Sequence, residues 1–328
     1  MFKITITENE SNQRVDRFLK KYLDNAPLSM IYKIIRKDLK VNGKRVKEDT
    51  ILNVGDELTL YILDSEIESF RKRKNIVKAK KQFKIAYEDE NILIVEKPFG
   101  LLTHGDSKEK KNHLTNQVLD YLIEKKEYNP RTNLTFVPSP VNRLDRNTTG
   151  LVIFGKNALS LQSLNKIIKD KDEIKKEYLT IVSGKVQNEL KLTGNMTKDE
   201  HNNTVKVSKD TDGKYMETIV TPLEYGSFKG KDYSLLNVRI LTGRTHQIRA
   251  QLGDSGYYLI GDQKYGNKEI NKVIQEEFKW TTQLLHAYKL TFDKIEDEKL
   301  KYLSGKVITS SLPKDFERIK EVIFNGQE

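Results

Sequence analysis

Val141-Asn-Arg-Leu-Asp-Arg-Asn-Thr-Thr-Gly-Leu-Val-Ile-Phe-Gly-Lys156 sets one carboxylate, Asp145, between two arginines, Arg143 and Arg146, and runs through Gly150 into the apolar stretch Leu151 to Phe154. The apolar stretch predicts a buried strand, which puts Asp145 on the loop before it. Neighbouring cations favour the charged form of an acid, so Asp145 should stay ionised. An ionised carboxylate in such a loop can be a nucleophile. The same residues also fit a loop aspartate that pairs with arginine for structure alone, because ion-pair networks perturb carboxylates too.

The 328 residues are enough for two domains. Charged residues make up 32% and hydrophobic residues 37% of the chain, the composition of a polar, soluble, globular protein. No apolar run approaches the roughly 20 residues that span a bilayer. The start, Met1-Phe-Lys-Ile-Thr-Ile, reads as a strand and not as a signal peptide. The chain has no cysteine, which excludes disulfides, thiolate metal sites and cysteine nucleophiles and fits a reducing cytoplasm. A net charge of +11 favours partners with phosphate backbones.

Three segments follow from patterning. In the first, residues 1–63, Val15, Phe18, Leu19 and Tyr22 fall on one helical stripe. Ser29 is the expected N-cap of a second helix with Ile31, Ile34 and Ile35 inward and Arg36, Lys37 and Lys40 near its end. Val41-Asn-Gly-Lys44 reads as a strand broken by an Asn-Gly turn, and Asn53-Val-Gly-Asp56 as a turn into a strand over Glu57 to Leu63. The pattern resembles the small RNA-binding module named after ribosomal protein S-four. The resemblance implies that Arg14, Arg17, Lys33, Arg36, Lys37, Lys44 and Arg45 contact RNA phosphates. The second segment, 64–82, passes from Asp64, Glu66 and Glu68 to Arg71-Lys-Arg-Lys74 and reads as a charged linker.

The third segment, 83–316, alternates short strand-like runs with turns. Ile92 to Val95, Leu151 to Phe154, Tyr178 to Val182 and Leu235 to Leu241 are its strand candidates. Asn157 should cap a helix whose Leu161, Leu164, Ile167 and Ile168 face the core. The fold class expected is therefore α+β, a small α/β domain followed by a mostly antiparallel sheet domain. Residues 317–328 are expected to be a tail, frayed from Asn325.

The large segment carries a series of further motifs: Glu88–Leu101, Lys175-Lys-Glu-Tyr178, Leu241-Thr-Gly-Arg-Thr-His-Gln-Ile-Arg249, Gly261-Asp262 with Tyr265-Gly266, and Leu285-His-Ala287. In this order, with Arg143-Leu-Asp145, they resemble the RluA-type pseudouridine synthases. That family usually has His before Arg-Leu-Asp and Thr-Ser-Gly after it, where this chain has Asn142 and Thr148-Thr-Gly150. The resemblance implies isomerisation of uridine to pseudouridine in RNA, with Asp145 the covalent catalyst on ribose or base. It implies that Arg249 pairs with Asp145, through a fork of two bonds. Tyr178 would stack on the flipped uracil and assist proton removal from carbon-5, and Arg143 would enter the RNA where the uridine leaves. Arg244, His246 and Gln247 would shape the pocket wall, with Arg146 and Arg244 among the RNA contacts.

The reaction conserves atoms, so no cofactor or metal is expected. No Walker or Rossmann glycine pattern occurs, and His104, His113, His201, His246 and His286 show no close ligand spacing. The module order resembles the RluC and RluD branch and implies large-subunit ribosomal RNA as substrate, in a cytoplasmic monomer without membrane contact. A transfer RNA synthase and a non-catalytic RNA-binding or ribosome-assembly factor are the alternatives.

Overall fold

The computed structural model describes residues 1–71, 78–170, 173–199, 204–208 and 213–326. The basic residues Lys72, Arg73 and Lys74, His201, and Gln327 with Glu328 lie outside the described residues. None of the described helices is long and apolar enough to cross a membrane.

The N-terminal part contains β1 (Phe2–Thr5), β2 (Gln13–Arg14), α1 (Val15–Tyr22), α2 (Leu28–Lys37), β3 (Leu39–Val41), β4 (Ile51–Leu52), β5 (Glu57–Leu60) and α3 (Asp64–Phe70). An antiparallel sheet β1-β5-β3 packs beside the two helices, and β2 pairs β4. The predicted stripe Val15, Phe18, Leu19 and Tyr22 is buried together with Ile31, Ile34 and Ile35 in one core. The Asn-Gly turn forms as the sequence predicts: Asn42 and Gly43 have φ of 50° and 76°, and Val41 and Lys44 exchange two backbone bonds.

Two expectations need correction here. The second helix starts at Leu28 behind Pro27, so Ser29 lies inside it and caps nothing. A proline fixes the φ that leads into a helix, and it displaces the hydroxyl from that task. The segment taken as a linker is partly structured: α3 buries Ile67 in the N-terminal core, and Ala79 and Gln82 donate backbone bonds to Asp120 and Gln117. Two apolar residues, Ile67 and Phe70, in a seven-residue polar stretch give no readable period, yet their packing on the N-terminal core holds the helix in place. The small and large parts also touch directly. Asn9 accepts from Ala158 N at 3.0 Å and Glu10 from Leu134 N at 3.2 Å.

The large part contains β6 (Lys84–Glu88), β7 (Ile92–Lys97), α4 (Leu114–Glu124), β8 (Ser139–Pro140), β9 (Thr149–Gly155), α5 (Ala158–Asp170) and β10 (Ile174–Ser183). Then come β11 (Leu190–Asp199), β12 (Thr204–Ser208), β13 (Lys214–Phe228), β14 (Lys231–Ile240), α6 (Gln247–Asp254), α7 (Lys268–Phe278), β15 (Leu285–Phe292), β16 (Val307–Thr309) and α8 (Lys314–Phe324). Among the described residues one 11-stranded sheet runs β12-β11-β13-β14-β10-β15-β9-β7-β6, with β16 on β15 and β8 on β9. All its pairs are antiparallel except β15 with β9. The fold is thus α+β with an antiparallel-rich sheet, as the sequence predicts.

The strand that follows the Asp145 loop is the most enclosed. Every residue of β9 is buried, and an added Cβ on Gly150 would lie 2.1 Å from the Ala287 carbonyl oxygen. Gly150 also has a φ of 111°, so it is glycine for two reasons. Asn157 caps α5 through Ser160 N at 2.9 Å, as expected. The expected tail is instead part of the core. Its helix α8 crosses residue 316 and buries Phe316, Ile319 and Ile323 with Ile274 and Phe278 of α7.

Candidate active site

The loop between β8 and β9 is pinned on both sides of Asp145. Thr103 exchanges two bonds with the backbone of Leu144, at 2.9 and 3.2 Å, and Lys97 Nζ donates to the Arg146 carbonyl at 3.0 Å. Asn142, which stands where the family usually has His, joins its side-chain amide to the Ile153 N–H and the Leu151 carbonyl. It anchors the loop to β9.

Arg249 comes from α6, 104 residues away, and donates Nη1 to Asp145 Oδ2 at 2.8 Å. Its fork points elsewhere: Nε and Nη2 reach the two oxygens of Asp262 at 2.7 and 2.9 Å. The expected fork on Asp145 is therefore a single bond, because Asp262 takes the paired donors. Asp262 is fully buried and accepts from the backbone of Lys264 and Tyr265. Burial opposes its charge, but the Arg249 guanidinium and those two N–H groups hold its pKa below the usual carboxylate value. Burial likewise opposes the charge on Arg249, and the two aspartates outweigh it and raise its pKa. The arrangement is a relay of fixed charges in which Asp262 orients Arg249 and Arg249 orients Asp145.

The two arginines next to Asp145 in sequence do not hold it. Arg146 pairs with Asp106 at 3.3 Å, and Arg143 is exposed. Asp145 is 29% exposed, and both Arg249 and His246 address its Oδ2. Among the described residues Oδ1 has no hydrogen-bond partner.

His246 lies closer to Asp145 than the sequence suggests. It holds a left-handed φ of 54° at the start of α6, with Nε2 3.7 Å from Asp145 and Nδ1 3.0 Å from the Tyr265 hydroxyl. Burial lowers its pKa against the pull of Asp145, which keeps the ring neutral near pH 7. Gln247 is an internal tie, bonded to Thr242, Glu217 and Thr218, while Arg244 is exposed and donates to the Tyr215 carbonyl. Two of the three residues expected to wall the pocket thus bond the scaffold.

Lys97 is a site residue that sequence reasoning misses. It is 1% exposed, and its ammonium donates to the carbonyls of Pro98, Leu101 and Arg146. Burial draws its pKa down to about 7, and the charge of Asp145 opposes that fall. The Glu88–Leu101 motif is the signal that could have found it.

Tyr178 is 6% exposed on β10, and the register between β10 and β15 shifts between Glu177 and Tyr178. Such a bulge re-aims a side chain. Burial first, and then the charge of Asp145, push its phenol well above the usual tyrosine value. Tyr178 is therefore held in its protonated form in the free protein.

Behind the loop, buried His286 meets Thr149 at 2.7 Å across the parallel strands. Burial pushes its pKa down to about 4, with the Ser310 carbonyl opposing. An unfolded histidine binds its proton near pH 6.5, so the unfolded chain takes up a proton that the folded chain refuses. Stability should fall as the pH drops from about 6.5 to about 4, by on the order of 3 kcal/mol from this residue. His104, His113 and His246 are lowered too and add in the same direction. Urea melts at pH 7 and 4.5 check this: a His286→Gln variant should show a smaller gap between the two pH values than the parent.

Of the basic residues assigned to the N-terminal module, Arg17, Lys33, Arg36, Lys37, Lys44 and Arg45 are exposed. Arg45 donates to the Arg36 carbonyl at 3.3 Å, which brings the turn and the end of α2 onto one face. Arg14 is the exception, since it pairs with Asp16 at 3.0 Å.

Fold and site define a mixed α+β protein in which a buried Asp262–Arg249 ion pair stands behind a partly exposed carboxylate, Asp145. The sequence pattern of the RNA pseudouridylate synthase family matches residues 91–254. An uncharacterized RNA pseudouridine synthase of Mycoplasma capricolum is 34% identical over 94% of this chain and 97% of its own. The ribosomal large subunit pseudouridine synthase C of Escherichia coli is 32% identical over 88% of each chain. Human RNA pseudouridylate synthase domain containing 1 shares the fold, with a TM-score of 0.51 at 18% identity over 77% of this chain and 97% of its own. The chain belongs to the RNA pseudouridylate synthase family and is an isomerase that converts uridine in RNA to pseudouridine.

Proposed function

We propose that this enzyme modifies uridines of large-subunit ribosomal RNA in the cytoplasm, as a monomer, with Asp145 as its covalent catalyst. The observation that carries the catalytic assignment is the single Arg249 bond to Asp145 Oδ2, which leaves Oδ1 without a partner among the described residues. In the proposed step Oδ1 bonds to ribose carbon-1 as its bond to uracil nitrogen-1 breaks. The freed uracil turns, and its carbon-5 takes carbon-1 back from the carboxylate. Carbon-5 then loses its proton and nitrogen-1 gains one, so every atom is conserved. Positive charge that develops on the ribose faces a carboxylate, as in glycoside hydrolysis. Tyr178, neutral and buried, serves as the stacking face for the extruded base, and its raised pKa argues against a role as the initial base. Arg143, exposed two residues from Asp145, fills the gap left in the RNA, and Arg146 and Arg244 hold its phosphates.

The ribosomal substrate is supported by the similarity to the E. coli enzyme and by the exposed basic face of the N-terminal part, which we take as an S-four-like module over residues 1–63. Pseudouridine mapping of total RNA from cells with and without the gene, with an Asp145→Asn rescue, tests it. Particular large-subunit uridines should lose the modification, and only the intact gene should restore them. Loss confined to transfer RNA would redirect the substrate.

The module makes a separate prediction. Lys33→Glu, Arg36→Glu and Lys37→Glu together should weaken RNA binding and flatten its salt dependence, by about 0.7–0.9 in slope for each phosphate no longer neutralised. Filter binding over a range of salt concentrations reads both. An unchanged slope would remove this face from the RNA.

A further inference from the structure

The run that ends β7, Lys97-Pro-Phe-Gly100, leaves one aromatic ring in the open. Phe99 is 47% exposed. Its ring is backed by Trp280, with centroids 5.1 Å apart and planes at 50°. A single exposed apolar side chain is ordinary on a protein surface. This one is set apart by where its backing is fastened.

Three contacts tie the pair to the elements that hold the reactive acid. Lys97, two residues before Phe99, donates to the carbonyl of Arg146, the residue after Asp145. Trp280 lies against Gly261, where an added Cβ would sit 2.8 Å from the indole Cδ1, and the next residue is the Asp262 that forks onto Arg249. Gln283, three residues past Trp280, reaches Thr148 of the Asp145 loop at 3.4 Å. Phe99 therefore stands at the rim where these segments meet, next to a loop that exposes Arg143 and Arg146. A ring held by a second ring, at the rim of a loop that carries two exposed arginines, suits a flat π face joined to a phosphate. Every nucleobase offers such a face.

We propose that Phe99, backed by Trp280, is a stacking platform for an unpaired base that flanks the target uridine. The assignment rests on the reading of this site as one that takes an extruded uridine of ribosomal RNA. It adds a contact to the neighbouring nucleotide, and with it a preference for targets whose neighbour is free to unstack.

The test uses the full chain and transcribed large-subunit ribosomal RNA, with pseudouridine formation followed under kcat and KM conditions. Phe99→Leu keeps an apolar cover over Trp280 but removes the π face, and Phe99→Tyr keeps both. Phe99→Leu and Phe99→Ala should raise KM on the order of tenfold, the size of one base–aromatic stack, with a much smaller change in kcat. Phe99→Tyr should restore KM. Thermal melts of Phe99→Leu should stay close to the parent, which separates a missing stack from a damaged fold. A Phe99→Leu enzyme with the parent KM would overturn the proposal, because apolar cover would then suffice. So would a Phe99→Tyr enzyme as impaired as Phe99→Leu. If the parent forms no pseudouridine in this RNA, the substrate reading falls and takes the platform with it; a parent that works beside an unaffected Phe99→Leu sinks the platform alone.

Discussion

Asp145→Asn should lower pseudouridine formation by on the order of 10⁴-fold or more, the scale seen when a covalent nucleophile is removed. RNA affinity should change by less than about threefold, because phosphate contacts from basic residues carry most of it. The substitution keeps the shape of the side chain and an oxygen that can accept from Arg249. The guanidinium keeps its fork on Asp262, so no buried cation is left unpaired and the fold should survive. Its electrostatic effects have definite signs. The charge of Asp145 raises the pKa of Lys97, His246 and Tyr178. Its loss should move all three down. Single-turnover release of tritium from carbon-5 of uridine measures the step, and filter binding measures the affinity. A variant that turns over within tenfold of the parent would remove Asp145 from the chemistry.

Much of this site is legible in the sequence, and what is hidden is hidden for physical reasons. The run Leu151 to Phe154 announces a buried strand, and β9 is buried throughout. Asn157 before an apolar stripe announces a capped helix, and the cap forms. The Arg249 to Asp145 contact spans 104 residues and is legible only through resemblance, since no local pattern encodes it. The charge pattern around Asp145 points the wrong way. Side chains one or two positions apart on an irregular loop diverge, so Arg146 reaches Asp106 while Arg143 faces out. The burial of Lys97 is not legible, because a lysine is buried only where acceptors surround it, and its three carbonyls come from positions 98, 101 and 146. Asp262 is visible as part of a motif, but its task depends on α6 being packed above it. The end of the chain shows the same limit. The helix α8 is charged on most faces, and only the surface offered by β13, β14 and α7 explains why it docks.

Asp262→Ala should damage both stability and rate, and the second effect is the informative one. Arg249 is 5% exposed and would lose two of its three bonds to carboxylates. Breaking a buried pair by removal of one partner costs about 3–5 kcal/mol, because the remaining charge stays buried without compensation. Lower urea midpoints should show it. Asp262→Asn, which keeps the shape and one acceptor oxygen, should cost less. The rate effect follows from where the freed guanidinium can go. The nearest carboxylate is Asp145, whose Oδ2 it already holds at 2.8 Å. A fork released from Asp262 can close on both oxygens of Asp145, and it then covers the oxygen proposed to attack. The acid would be better paired and less reactive. A displacement on the scale of an ångström at a reacting group costs on the order of 10²-fold in rate, and that is the loss expected in kcat for Asp262→Ala. Single-turnover assays at a temperature where the variant is still folded, corrected for the folded fraction, give the value. A parental kcat under those conditions would make Asp262 a support for the fold alone and would break the proposed relay from Asp262 through Arg249 to Asp145.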